Sequence, residues 1–163
     1  MALILLLTAY WTYLVLCCGF ALWRGGPPER IAAWGMIAAS VLTIFAADPD
    51  GYVQVEYAVL AIDLGLLALL VALAIVAERR WTLWAAGFHL VGVLTPIAFM
   101  LSPTAIRFAY ALMQGFWAYP TLTALLLGAI AHRRRVKRGT DGRSWRRFSP
   151  RSALQPPRAP PVN

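Results

Sequence analysis

The sequence predicts an all-α integral membrane bundle of five transmembrane helices, N-terminus outside and C-terminus inside, followed by a disordered basic tail. Three observations predict it. Hydrophobic residues make up 60% of the 163 and charged residues only 13%, where soluble domains average about 25% charged. The charges cluster, leaving apolar runs close to the ~20 residues that cross a ~30 Å hydrocarbon core at 1.5 Å per residue. Cutting the chain at those clusters puts every Lys and Arg except Arg107 on one side of the membrane.

The five spans follow in order. The first is Leu3–Trp23, free of charge until Arg24. A secretory signal needs a positive n-region, which is missing here, so this stretch reads as an uncleaved span. The second, Ile31–Ala47, is short. The third, Val53–Val76, contains the run LGLLALLVALAIVA. The fourth is Trp81–Leu101 and the fifth Ile106–Ala131. Helix is the expected state for all five, because a backbone amide unpaired in lipid costs several kcal/mol. The runs do not alternate as the strands of a membrane barrel do. Pro96 and Pro120 are expected to kink spans four and five. Ala61 and Gly65, four apart, permit a close helix approach.

The linkers set the orientation. Arg24 to Arg30 is basic, Asp48 to Tyr52 carries two acids, Glu78-Arg79-Arg80 is basic, and Ser102-Pro103-Thr104 is neutral. Basic linkers stay cytoplasmic, so an odd number of spans leaves the N-terminus outside. Trp23, Trp81 and Trp84 then fall at the inner interface, where aromatic belts form.

The division is 1–132 as a transmembrane domain and 133–163 as a basic, Pro/Arg-rich cytoplasmic tail. From Arg133 onward there are ten Lys and Arg, one acid (Asp141) and five prolines. Such a composition buries too little apolar surface to order itself. Its expected partner is the anionic headgroup layer, each base contributing about 1 kcal/mol near the surface, with Trp145 and Phe148 inserting beside the arginines. Nucleic-acid binding is the sharper alternative for a basic, aromatic segment, but no defined nucleic-acid module is present and this partner is not expected.

Polar residues at membrane depth are the candidate functional groups. Asp63 lies ten residues into span three, about 15 Å from its outer edge, where acids are costly and face a bundle interior or a water cavity. Glu56 is one heptad earlier, about 20° away on the helix wheel, so it shares the face nearer the surface. His89 enters span four from the opposite side and reaches a similar depth, which opens an Asp63–His89 pair. Gln114, Tyr110, Tyr10, Tyr13 and Trp117 project to the same layer. One reading is a structural clasp in which Asp63 and His89 satisfy each other. The other is a proton or cation path with Glu56 at its mouth.

Catalysis and cofactors find little support. The motifs H-E-x-x-H and G-x-S-x-G and a glycine-rich phosphate loop are missing from the sequence. Haem would need a second deep axial ligand beside His89, so no cofactor is expected. The adjacent Cys17 and Cys18 point roughly 100° apart on a helix and read as small core residues, with no metal-ligand spacing.

The segments Ala21-Leu-Trp-Arg-Gly-Gly-Pro-Pro-Glu-Arg30 and Arg79-Arg-Trp-Thr-Leu-Trp-Ala-Ala-Gly-Phe-His-Leu90 resemble those of small uncharacterised multi-pass membrane proteins of bacteria. The likeness covers about a quarter of the chain. A Thr-His pair expected later in span four is replaced here by Thr95-Pro96. The resemblance implies a bacterial inner-membrane protein and transfers no active site. The function expected from all this is a non-enzymatic accessory or structural component that packs with itself or with another membrane protein. The alternative is a small transporter or proton- or cation-conducting protein using Asp63 and His89.

Overall fold

The structure, a computed structural model, describes residues 2–46, 57–101, 116–140 and 145. Within them the chain forms five helices: α1 (Ala2–Arg24), α2 (Pro27–Ala46), α3 (Tyr57–Val76), α4 (Arg80–Leu101) and α5 (Ala118–Lys137). Each helix packs on the next in sequence, and α5 returns to close the ring against α1.

The α1–α2 turn shows how local chemistry sets this geometry. Gly25, just past the end of α1, donates to the Ala21 carbonyl at 2.8 Å, in the pattern of the helix. A Cβ at Gly25 would collide with the Ala21 carbonyl and the Glu29 side chain, so only glycine fits. Pro27 and Pro28 then occupy the first two positions of α2, where an amide hydrogen would have no helical acceptor. The helix therefore starts one turn before the apolar stretch that begins at Ile31.

The core sits where the helices converge. In α1 the buried residues are Leu14, Cys17, Cys18 and Ala21, at helical spacing on one stripe. Both cysteines are free thiols in that core. The inward face of α4 runs Thr82, Ala85, Val93 and Pro96. Small residues bring backbones together at Gly35, where a side chain would strike Leu69, and at Gly128, where Trp81 lies flat against the backbone. The opposite faces stay apolar and exposed, with Phe45 82%, Leu5 67% and Trp34 62% accessible. An apolar surface of this extent belongs in lipid rather than water.

Four helices, α1 to α4, are long and apolar enough to cross a membrane. The expectation of five transmembrane helices is therefore corrected to four within a five-helix bundle. The fifth predicted span fails for a compositional reason. The described helix there is Ala118–Lys137, and its last turns carry His132, Arg133, Arg134, Arg135 and Lys137. The apolar part, residues 118–131, rises about 21 Å, short of a ~30 Å core. Residues 106–115 of that predicted span lie outside the described residues. The same helix corrects the picture of a basic tail disordered from its first residue, because 133–137 continue α5. Further on, Trp145 bridges back to Ala77 and packs against the core.

The two prolines expected to kink the helices occupy different places. Pro96 is buried within α4, which continues past it to Leu101. Pro120 falls in the first turn of α5, where its missing amide hydrogen removes no helical hydrogen bond. The Ala61–Gly65 pair faces outward, and nothing approaches within 4 Å of a Cβ built on Gly65.

Candidate functional site

The polar side chains of the bundle fall into two layers. The deeper one draws on all five helices. Tyr10 on α1 and Ser40 on α2 share a hydrogen bond of 2.7 Å. Tyr13 on α1 meets Thr123 on α5 at 2.8 Å. The Thr123 hydroxyl donates its one hydrogen to the Tyr119 carbonyl at 2.7 Å, so the Tyr13 phenol is the donor in the pair. Tyr119 stands between the two tyrosines, its ring centroid 6.2 Å from Tyr10 and 5.7 Å from Tyr13. These contacts tie α1 to α2 and α5 by hydroxyl pairs that need no charge.

Asp63 and His89 close the same layer between α3 and α4, but not as the sequence suggested. The bond from His89 Nε2 runs to the backbone carbonyl of Asp63, at 3.0 Å. A carbonyl only accepts, so Nε2 carries the proton. The carbonyl has a second lone pair beyond the one used in the helix, which makes this possible. The Asp63 side chain is half-buried, and its carboxylate takes no part in this bond. Of the other predicted residues, Tyr10 and Tyr13 join the layer. Trp117 packs instead near Gly92 of α4. Glu56, Gln114 and Tyr110 lie outside the described residues.

The second layer, at the basic end, was not foreseen. Glu29 is fully buried. Its Oε1 accepts a 2.9 Å hydrogen bond from Trp81 Nε1, joining α2 to α4. Its Oε2 is buried without a hydrogen-bond partner among the described residues. A methyl group on Gly26 would stand 3.0 Å from that oxygen and 3.0 Å from His132 Cε1, so glycine lets the carboxylate and the imidazole share one pocket. Nearby, Arg30 Nε donates to the Gly25 carbonyl at 3.2 Å. The carboxylate also sits in the first turn of α2, where the helix dipole favours negative charge. One usable signal is legible in the sequence, an acid directly after a Pro-Pro helix start. That signal normally marks an exposed helix-start acid, so burial could not be read from it.

A fold of four membrane-crossing helices with paired polar groups inside defines a multi-pass α-helical membrane protein. Among the described residues, no three His, Cys, Asp or Glu side chains gather as a metal site would require. No family model matches the chain, and neither curated proteins nor solved structures provide a match.

Proposed function

We propose that the protein is a non-enzymatic accessory or structural component of a bacterial inner membrane, with its basic end in the cytoplasm and the start of α1 at the outer face. The observation that carries this reading is the way the interior polar groups are used. Tyr10, Tyr13, His89 and Trp81 each spend their hydrogen-bonding group on a neighbouring helix. Groups so committed hold helices in register, the role that interhelical hydrogen bonds serve in membranes. The orientation rests on Arg24, Arg30, Arg79, Arg80 and the last turns of α5 sharing one end. The bacterial setting rests on the resemblance of the two segments around Trp23 and Trp84.

Extraction of the tagged protein in its native lipids, followed by mass spectrometry, tests the accessory role. A stoichiometric protein partner is the expected result. Recovery as the single chain or as a homo-oligomer alone would turn attention to the second reading. That reading is a small transporter or proton- or cation-conducting protein using Asp63 and His89. It is favoured by the Asp63 carboxylate, which takes no part in the hydrogen bond to His89.

A further inference from the structure

We propose that the outer face of α4 and α5 binds one anionic diacyl phospholipid. Its phosphate rests on the arginines of the basic end, and one acyl chain lies on each side of a ridge formed by Trp84 and Phe88.

The two rings lean together, centroids 6.1 Å apart and planes at 32°, and Trp84 is 66% exposed. A groove lies on either side of them. The first, about 760 Å³, runs between α4 and α5 over Ala124, Leu127 and Gly128. The second, also about 760 Å³, runs along Leu83, Gly87 and Val91 to Trp117. Arg80, Trp84 and Phe88 line both. Each volume is within the ~300–1,000 Å³ of ordinary ligand sites. Gly87 has nothing within 4 Å of the position of a Cβ, so the missing side chain opens the second groove.

Length and charge name the occupant. Arg80 to Val91 spans about 16 Å of helix rise, half of a ~30 Å hydrocarbon core and so the depth of one leaflet. Among the described residues, the mouth of the first groove is lined by Arg79, Arg80 and Arg135 and by the acid Glu78. Guanidinium groups match phosphate oxygens in bidentate geometry, and basic pockets at the membrane surface hold anionic lipid headgroups. A free phosphate would use this mouth and leave both grooves empty. A zwitterionic lipid would fill the grooves but bring its own cation beside the arginines. The inference holds whichever side of the membrane the basic end faces.

The test is native mass spectrometry of the full chain in detergent, titrated with dioleoyl-phosphatidylglycerol or dioleoyl-phosphatidylcholine. The wild type should retain one phosphatidylglycerol, and phosphatidylcholine more weakly. Arg80→Gln combined with Arg135→Gln should weaken phosphatidylglycerol roughly tenfold and bring it to the phosphatidylcholine level. Gly87→Leu should weaken both lipids, since it fills a chain groove where no protein atom is displaced. Circular dichroism and melting of each variant confirm that the fold is kept. Equal retention of the two lipids by the wild type would overturn the proposal. So would loss of binding on Arg146→Gln with Arg147→Gln but not on the groove variants, which would place the lipid on the tail. Displacement of the lipid by equimolar glycerol phosphate would also overturn it, leaving a simple anion site.

Discussion

At the scale of single residues, the account separates two acids that composition treats alike. Asp63 lends its backbone to His89, whereas Glu29 lends its side chain to Trp81. Asp63→Asn should therefore leave the melting temperature in micelles near that of the wild type, a change within about 0.5 kcal/mol. His89→Leu should cost about 0.6 kcal/mol, the average for membrane hydrogen bonds. If Asp63→Asn proves the more damaging, the carboxylate and not the carbonyl is what holds α4. Trp81→Phe should cost more, about 1–3 kcal/mol, because it leaves a buried carboxylate oxygen unpaired. Unfolding in denaturant reads this directly, and an unchanged midpoint would contradict the Glu29 bond. Sequence indicated that Asp63 and His89 lie at matching levels, where they meet, because helical rise is fixed by the backbone. It could not reveal which oxygen His89 reaches, since that depends on the rotation of α3 against α4. Nor could it reveal Glu29, whose burial arises only when Trp81 and His132 arrive from distant parts of the chain.

At the scale of elements, small residues divide into those that touch a neighbouring helix and those that do not. A Cβ on Gly128 would lie 2.5 Å from the Trp81 ring, so Gly128→Ala must move the indole and strain its bond to Glu29. A loss of about 1–3 kcal/mol is expected from such overpacking. Gly65→Ala meets open space and should be neutral or slightly stabilising, because alanine favours helix. Thermal unfolding of the two variants side by side checks the packing of α3 and α5, and equal effects would contradict it. The first four helices were legible because their apolar runs are unbroken. The fifth differs from expectation because its described helix, Ala118–Lys137, runs on into the arginines and so has too short an apolar part. Hydropathy records where a chain is greasy, and helix geometry does not stop at the first charge.

At the scale of the whole molecule, four helices that can cross a membrane and a closing fifth leave one strongly basic end. Cysteine labelling tests the orientation, since Cys17 and Cys18 are buried and give little background. A cysteine at Ala2 should react with an impermeant maleimide on intact cells, and one at Glu78, exposed in the α3–α4 linker, only after permeabilisation. The reverse pattern would contradict a cytoplasmic basic end. The charge map that suggests this orientation was fully visible in the sequence, because the bias of Lys and Arg is a property of linkers and needs no packing. The role of the interior polar groups was not, because clasp and conduit use the same residue types and differ only in what each group touches. The central claim is that these groups hold the bundle together and do not conduct. Proton flux into liposomes containing the purified protein tests it most directly. The account predicts flux no greater than in empty liposomes, for the wild type and for Asp63→Asn alike. Flux in the wild type that disappears in Asp63→Asn, with helicity and melting unchanged, would contradict it.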